Sequence, residues 1–234
     1  MKYLSIIIPI FNEEKYLSNF IELLMAHISA LPEIHQAIFV NDGSTDSTKK
    51  ILEAAKNHSK KTHVIHHSEN KGKGEAMKTG LEYAKEYKSD GVIFMDGDGQ
   101  HDPASIHEFI EQLKGWPIVF GYREQKQNTP LIRRKGNDIA RFIIHNIFDI
   151  QRFGDILCGY FALRNDAFEK VIWSSSDYGV EAEISAIVGR KKIPFKEIKV
   201  KNIYLDNTKG VNLFDAVNIL VRIPYWNFIY SHED

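Results

Sequence analysis

The 234-residue chain has a single cysteine, Cys158, almost no net charge and no long apolar segment. One cysteine excludes a disulfide framework and a cysteine-rich zinc site, and it suits a reducing cytoplasm. A formal net charge of −1 leaves no overall basic field to hold a polyanion, so any such site has to be local. The sequence therefore predicts a protein that has no nucleic-acid partner.

No stretch of the sequence is suited to crossing a membrane. A transmembrane helix needs about 18 or more consecutive apolar residues, and no such window occurs. The N-terminal apolar run, Leu4–Ile10, is soon followed by charged residues and is too short for a signal peptide. We expect a cytoplasmic protein that is either soluble or peripheral on the cytoplasmic face of a membrane.

Short apolar runs alternate with amphipathic, helix-length segments between residues 4 and 121. The predicted strands are Leu4–Ile10, Ala37–Val40, His63–His66, Gly91–Met95 and Pro117–Phe120. The segments between them carry apolar residues at helical spacing, as from Glu13 to Ala30. This order predicts βαβ units and an α/β fold, with a Rossmann-like, mostly parallel sheet flanked by helices.

The second half of the chain is less regular than the first. It contains a helix-like segment, Asp138–Ile150, and an apolar tail, Val211–Tyr230. Between them the pattern predicts a strand near Leu157–Leu163, a helix near Val180–Val188 and extended chain from Ile193 to Tyr204. Because no repeat or linker separates the two halves, we expect one domain with a C-terminal elaboration.

Three of the predicted strands end in polar turns. These turns are Asn12-Glu13, Asp42-Gly43-Ser44 and Asp96-Gly97-Asp98. In an open parallel sheet, ligands bind beyond the carboxyl ends of the strands. If the three strands are neighbours, their carboxylates converge on one crevice, and the repulsion between them requires a cation there.

Asp96-Gly97-Asp98 is the sharpest of these signals. Two carboxylates, separated by a residue that leaves the backbone flexible, offer oxygen ligands to a hard divalent ion whose open positions substrate phosphates can fill. Turn chemistry alone also favours Asp and Gly at such a place. Because two other polar turns follow strands of the same predicted sheet, the sequence favours a metal and phosphate site over an ordinary turn.

The remaining signals are weaker, and each has an ordinary structural alternative. Gly72-Lys73-Gly74 lacks the spacing of a P-loop, yet a lysine just before a helix can approach a phosphate; the alternative is a solvated loop. The run Arg133-Arg134-Lys135 is either a solvated face or a site for phosphate or an anionic membrane surface. The histidines show no zinc spacing, and only His101, which follows the acidic turn, is of interest.

Taken together, these segments resemble the family 2 glycosyltransferases of the GT-A type, and most closely the polyprenyl-phosphate (dolichyl-phosphate) glycosyl synthases. The matching segments are Ile8–Glu13, Val40–Asp46, Asn70–Gly74, Met95–Pro103 and Gly121–Arg123, with looser matches at residues 133–137, 155–160 and 178–183. The resemblance implies a nucleotide-diphosphate sugar donor, a divalent metal (Mg²⁺ or Mn²⁺) and inversion at the anomeric carbon. It also implies a nucleotide-sugar-binding half, residues 1–123, and an acceptor-side half, residues 124–234.

Carried over by position, the resemblance assigns roles to individual residues. The set implied to bind the nucleotide sugar is Pro9, Phe11, Glu13, Val40, Asp42, Lys73, Asp96, Gly97, Asp98 and Lys209. The implied metal ligands are Asp96, Asp98 and Gln100, and the implied catalytic set is Asp98, Arg123, Arg133 and Arg134. The three arginines suit an acceptor phosphate, which is already anionic near pH 7 and needs cations to position it more than a base.

The resemblance leaves the donor open. Lys209 matches a lysine of the mannosyl-phosphate synthases, but the arginine expected a few residues before it is missing from residues 202–210. A UDP-hexose or UDP-N-acetylhexosamine donor is therefore at least as well supported as GDP-mannose.

The leading acceptor is a polyprenyl phosphate at a membrane surface. The amphipathic surfaces Asp138–Ile150 and Val211–Tyr230 are candidates for the membrane contact, and equally for core or homo-oligomer contacts. One alternative is transfer to a sugar hydroxyl of a glycan, with Glu181 or Asp155 as general base. Another is a nucleotide-sugar-binding subunit without catalysis.

Overall fold

The computed structural model describes residues 1–123, 141–143, 145–148, 150, 156–201 and 213–230. The strands in these ranges are β1 (Leu4–Ile10), β2 (Ile34–Asn41), β3 (Thr62–His66), β4 (Gly91–Phe94), β5 (Ile118–Arg123), β6 (Phe161–Arg164) and β7 (Phe195–Val200). The helices are α1 (Leu17–Ser29), α2 (Thr48–His58), α3 (Lys73–Glu86), α4 (Ile106–Leu113), α5 (Val180–Arg190) and α6 (Leu213–Tyr230). Residues 141–143 and 145–148 are also helical.

The strands form one sheet in the order β3-β2-β1-β4-β6-β5-β7. β1 runs parallel to β2 and to β4, while β6 is antiparallel to both of its neighbours, β4 and β5. The predicted mostly parallel α/β sheet is confirmed. Because β2, β1 and β4 lie side by side and point the same way, their C-terminal turns meet at one edge of the sheet.

Apolar side chains cover both faces of the sheet. Alternate residues of a strand point to opposite faces, so Ile7 packs in one cluster with α3 and α5, whereas Ile6 and Ile8 pack in another with α1 and α4. This explains why β1 is a continuous apolar run. Cys158 is buried, 3% exposed, within the second cluster.

Helix α1 begins later than the hydrophobic spacing predicts, at Leu17 instead of near Glu13. Asn12 has a left-handed backbone, with φ of 53°. The N–H of Asn12 donates to Ser44 Oγ at 2.9 Å and the N–H of Glu13 donates to Thr48 Oγ1 at 2.9 Å. The turn after β1 is thereby bound to the turn after β2 and to the start of α2, and α1 begins only beyond these contacts.

The strand predicted near Leu157–Leu163 is shorter and later than expected, since β6 covers Phe161–Arg164. Residues 156–160 instead form the non-strand approach to β6, where Gly159 packs against Asp96. This approach is part of the site described below.

Helix α6 forms from the apolar tail, although Pro224 lies inside it. Two side-chain contacts fasten it: Tyr230 Oη donates to Glu183 Oε1 at 2.5 Å, and Arg222 Nη1 donates to Asp177 Oδ1 at 2.8 Å. Within the described residues, no helix combines the length and the apolar character needed to span a bilayer.

Candidate active site

The turns after β1 and β2 form one wall of the crevice at the carboxyl edge of the sheet. The N–H of Thr45 donates to Asn12 Oδ1 at 2.8 Å, which adds to the contacts that hold the two turns together. Phe11 is 42% exposed and Pro9 and Glu13 are partly exposed, so this wall presents surface to a ligand. Val40, by contrast, has no exposed surface, and its side chain is part of the core, not of the crevice.

Asp42 is buried below the glycine-rich loop. Its Oδ1 accepts from Lys71 N at 2.9 Å, and its Oδ2 accepts from Gly72 N at 2.7 Å. His67 joins this carboxylate to α3, because its Nδ1 lies 2.7 Å from Asp42 Oδ1 and its Nε2 lies 2.9 Å from Thr79 Oγ1. Asp42 is only 3% exposed, and in this structure its carboxylate holds the loop. Its expected contact with the nucleoside stays a prediction.

The loop held by Asp42 delivers Lys73 to the turn after β4. Lys73 Nζ lies 2.5 Å from Asp96 Oδ1 and 2.5 Å from Glu181 Oε1, at the start of α5. Side chains from the turn after β4 and from α5 therefore converge on the ammonium of Lys73, at the start of α3.

The charges in this cluster shift one another's pKa values. Burial alone would lower the pKa of Lys73, but Asp96 and Glu181 outweigh it and raise that pKa. Burial would raise the pKa of Asp96, yet Lys73 and then His101 lower it to about 2. Burial raises the pKa of Glu181. The positive charge of Lys73 lowers this pKa, but the negative charge of Asp96 raises it further, so the net shift is upward. Near neutral pH, Lys73 and Asp96 thus form a charged pair.

Asp98 and its neighbours complete the acidic turn. The N–H of Gln100 donates to Asp98 Oδ1 at 2.9 Å and orients that carboxylate. Burial, followed by the charge of Asp96, raises the pKa of Asp98, so the two carboxylates repel each other across the turn. The N–H of Asp96 donates to Nδ1 of buried His101 at 3.2 Å. The ring of His101 stacks on the ring of Tyr160, with 4.9 Å between the ring centroids.

Two glycines allow the backbone to approach the acidic turn closely. A β-carbon on Gly159 would lie 2.5 Å from Asp96 Oδ2 and 2.7 Å from Lys73 Nζ. A β-carbon on Gly97 would lie 2.8 Å from the side chain of Ile10. The small size of Gly97 therefore matters for its packing against β1, in addition to the backbone flexibility expected from the sequence.

Arg123 brings a further positive charge to the site from the end of β5. Its Nη2 donates to the carbonyl of Leu157 at 3.3 Å, and its charge lowers the pKa of both Asp96 and Asp98. The structure thus brings Arg123, Lys73 and the two aspartates together. Arg133, Arg134 and Lys209, along with the alternative base Asp155, lie outside the described residues.

The donor set of the acidic turn fits a hard divalent cation. Two carboxylates that repel each other supply the oxygen ligands that Mg²⁺ and Mn²⁺ prefer. No group of three or more His, Cys, Asp or Glu side chains in the described ranges is placed to enclose a metal ion.

A family model decides the identity of this site. The model for "Glycosyl transferase family 2" matches residues 5–172, well over half of the chain, and includes the three turns, Arg123 and Gly159. The chain belongs to glycosyl transferase family 2. The expectation of an enzyme, a glycosyltransferase, is thereby confirmed.

Two relatives of this family 2 glycosyltransferase carry names with a lipid phosphate. The UDP-N-acetylglucosamine--dolichyl-phosphate N-acetylglucosaminyltransferase of Methanococcus voltae is 28% identical, over 95% of this chain and 95% of its own length. The dodecaprenyl-phosphate galacturonate synthase of Rhizobium johnstonii is 28% identical, over 62% of this chain and 45% of its own. Both similarities agree with the resemblance seen in the motifs.

Solved structures confirm the GT-A type of fold for the enzyme. Glucosyl-3-phosphoglycerate synthase from Mycobacterium tuberculosis, crystallised with Mn²⁺, UDP and glucosyl-3-phosphoglycerate, superposes with a TM-score of 0.72. The match covers 98% of this chain and 80% of the other at 17% identity. At this identity the likeness establishes the architecture alone.

Several residues of the site are not in the set drawn from the sequence. Glu181 was expected only as an alternative base, and Gly159 only as part of a loosely matching segment. His67 gave no signal, since a lone histidine after a strand is unremarkable in a sequence. His101 stood out by its position after the acidic turn, but its contact with the backbone of Asp96 is visible only in the structure.

Replacing Gly159 by alanine is expected to slow sugar transfer by about a hundredfold, the order of loss caused by a misplacement of about 1 Å. The new methyl group would meet both oxygens of Asp96, at 2.5 and 2.6 Å, and would displace Asp96 or Lys73. Gly115→Ala is the matched control, because the nearest atom to its β-carbon is Gln112 O at 4.0 Å. Initial rates of both variants test the prediction, and equal rates would contradict it.

Proposed function

We propose that this enzyme transfers a sugar from a nucleotide-diphosphate sugar to a polyprenyl phosphate, with Mg²⁺ or Mn²⁺ bound at Asp96 and Asp98. The observation that carries the proposal is the paired-carboxylate turn at the end of β4, with Lys73 and Arg123 beside it. The names of the Methanococcus and Rhizobium relatives support a lipid phosphate as acceptor class.

On the donor side, the wall that carries Phe11 is proposed to face the nucleoside, while Lys73 approaches the diphosphate. Asp96 and Asp98, together with Gln100, would hold the divalent cation. When bound, that cation acts as a Lewis acid that stabilises the negative charge developing on the departing nucleotide. Lys73 adds a positive charge on the same side, since the loop that Asp42 holds places it there.

In the proposed step, an oxygen of the acceptor phosphate attacks the anomeric carbon from the face opposite the nucleotide. The new carbon–oxygen bond forms as the bond to the diphosphate oxygen breaks, and the electron pair leaves with the nucleotide diphosphate. The configuration is therefore inverted. A phosphate monoester has a second pKa of about 6, so it attacks without a general base. Arg123 is proposed to position it, together with Arg133 and Arg134.

A transfer assay tests the proposed function. The purified enzyme is incubated with Mg²⁺ or Mn²⁺, a short polyprenyl phosphate and a panel of UDP- and GDP-sugars, and products are read by mass spectrometry. We expect a sugar-phosphate-lipid product that is lost on adding EDTA. If no donor yields a lipid product although calorimetry shows that a donor binds, the lipid acceptor is wrong.

A sugar hydroxyl of a glycan is the second candidate acceptor, and the position of Glu181 favours it. A hydroxyl acceptor needs a general base, and burial raises the pKa of Glu181 beside Asp96. Against this role, Glu181 Oε1 is already paired with Lys73 Nζ at 2.5 Å. Transfer to a glycan that is lost in Glu181→Gln, without transfer to lipid phosphate, would decide for the hydroxyl acceptor.

We also propose that one face of α6 rests on the membrane that contains the acceptor. Val221, Tyr225 and Phe228 are 71%, 58% and 65% exposed and lie on one side of the helix at spacings of four and three residues. Aromatic and aliphatic side chains on one helix face are typical of interfacial helices. The same helix is bound through Tyr230 to Glu183, close to Glu181 at the site.

Changing Val221, Tyr225 and Phe228 together to serine is expected to weaken binding to phospholipid vesicles by at least about tenfold, because each apolar side chain contributes on the order of 1 kcal/mol. Vesicle flotation measures the binding. Tyr87→Ser is the control, since Tyr87 is 56% exposed but lies at the end of α3. Unchanged flotation of the triple variant would contradict the proposed membrane face.

The donor sugar and its nucleotide, the assembly of several copies, and the division into donor and acceptor halves at residue 123 stay predictions. The panel of donors in the transfer assay addresses the first of these directly.

A further inference from the structure

Lys73 occupies a position that a metal ion would have to share. Its ammonium lies 2.5 Å from Asp96 Oδ1, and Asp96 is one of the two carboxylates that fit the divalent cation. Its side chain is 15% exposed, and that of its second partner, Glu181, is 5% exposed. An ammonium and a metal ion cannot both contact the same carboxylate oxygen closely without strong repulsion.

The surrounding atoms keep the ammonium at this carboxylate. Gly159 closes one side of the pair, since a β-carbon there would lie within 2.7 Å of Lys73 Nζ and both oxygens of Asp96. Glu181 holds the lysine from the opposite element, α5. Lys73 is therefore held between two carboxylates. A mobile lysine on the surface would not compete in this way with a metal ion for Asp96.

We propose that Lys73 is a resident counter-ion of Asp96, which competes with the divalent cation for this carboxylate and leaves it when a nucleotide diphosphate binds. The inference rests on the proposed function, because it takes Asp96 as a metal ligand. Glu181 is then a positioning residue: it keeps Lys73 within the site after Asp96 has been released. The diphosphate supplies Lys73 with a new anionic partner.

This arrangement makes the metal ion and the nucleotide bind cooperatively. The nucleotide draws Lys73 away from Asp96, and the freed carboxylate then binds the metal ion more tightly. Since coupling between two sites is reciprocal, the metal ion strengthens nucleotide binding by the same factor. Without nucleotide, the clamped lysine keeps the affinity for the metal ion low.

The double variant Lys73→Gln with Glu181→Gln tests direct competition. It removes one positive and one negative charge, so the net charge around Asp96 and Asp98 is unchanged, and only the competing ammonium is lost. The matched control is Lys78→Gln with Glu75→Gln, an ion pair of 2.5 Å on the same helix. Binding of Mn²⁺ alone is measured by electron paramagnetic resonance, from the signal of the free ion.

We expect the double variant to bind Mn²⁺ at least about fivefold more tightly than the wild type, the lower end of ordinary coupling between sites. UDP or GDP should then strengthen its Mn²⁺ binding less than that of the wild type. The control variant should bind Mn²⁺ like the wild type. Equal Mn²⁺ affinity of the wild type and the double variant would overturn the inference.

A measurement on the wild type covers the case in which the double variant does not fold. Reductive methylation followed by mass spectrometry should label Lys73 slowly, and saturating Mn²⁺ should accelerate its labelling relative to Lys78. Labelling of Lys73 that Mn²⁺ does not change would overturn the inference. If the wild type binds no Mn²⁺ even with UDP or GDP, the metal-dependent function fails as well, so the two failures are distinguishable.

Discussion

An Asp98→Asn variant is expected to transfer sugar about a thousandfold more slowly than the wild type, which is the upper range for losing one group that stabilises developing charge. Asparagine keeps the shape of the side chain, and its oxygen can still accept from Gln100 N, now at 2.9 Å from Asp98 Oδ1. It removes the negative charge that suits a divalent cation. Initial rates with saturating donor and a short polyprenyl phosphate measure the loss.

The stability of this variant separates a chemical effect from a structural one. Burial and the charge of Asp96 raise the pKa of Asp98, so its ionised form costs the folded state free energy near neutral pH. We therefore expect Asp98→Asn to have an unchanged or higher melting temperature. Asp102→Asn is the control from the same turn, because Asp102 Oδ1 caps the next turn through Ala104 N at 2.9 Å. Equal loss of transfer in both variants would contradict the assignment.

Glu183→Ala is expected to lower the free energy of unfolding by about 3 kcal/mol or more, because several buried donors lose a charged acceptor at once. Glu183 is fully buried, and Oε1 accepts from Ser174 N at 2.9 Å, Ser174 Oγ at 2.6 Å and Tyr230 Oη at 2.5 Å. Oε2 accepts from Ser175 N at 2.7 Å. The substitution also removes the hydrogen bond that holds α6 at Tyr230. Urea denaturation measures the change in the free energy of unfolding.

Tyr230→Phe is the graded comparison for this prediction, since it removes one of these hydrogen bonds and leaves the apolar ring. Tyr230→Phe is expected to lower the free energy of unfolding by about 1.5–3 kcal/mol, the usual range for a hydrogen bond to a charged group. A Glu183→Ala variant as stable as the wild type would contradict the role of this carboxylate.

The contribution of Glu183 also depends on pH in a defined direction. Burial would raise its pKa, but the hydrogen bonds from Ser174, Ser175 and Tyr230 outweigh burial and lower it. A carboxylate with a lowered pKa in the folded state stabilises the protein above its unfolded pKa, which is about 4.3. That stabilisation is lost as the pH falls through the lower, folded pKa. The difference in stability between wild type and Glu183→Ala should therefore shrink in acid.

Local sequence patterns were sufficient to predict the sheet in the first half of the chain. The apolar runs that became β1, β2 and β4 are long enough to be recognised, because both faces of a parallel strand are buried. The polar turns after these strands were recognisable because Asp, Asn and Gly are typical of such turns. Their meeting at one edge then follows from the strand order, which the topology confirms.

The boundaries of elements were predicted less well, because contacts between distant segments determine them. Helix α1 starts at Leu17 because the N–H groups of Asn12 and Glu13 donate to Ser44, in the turn after β2, and to Thr48, at the start of α2. Val40 belongs to the core although its motif pointed to the nucleoside, since alternation along β2 turns its side chain inwards.

The amino-acid sequence alone thus determined the family, the α/β sheet and the Asp96-Gly97-Asp98 turn, because each depends on residues close together in the chain. Only the tertiary structure decided which charges face that turn. Lys73, Gly159 and Glu181 come from three segments far apart in sequence. No local pattern encodes that Lys73 pairs with both Asp96 and Glu181, or that Gly159 lies against Asp96. The same holds for the contact of Tyr230 with Glu183. These partners are brought together by packing of whole elements, so the physical chemistry of the site exists only in the folded chain.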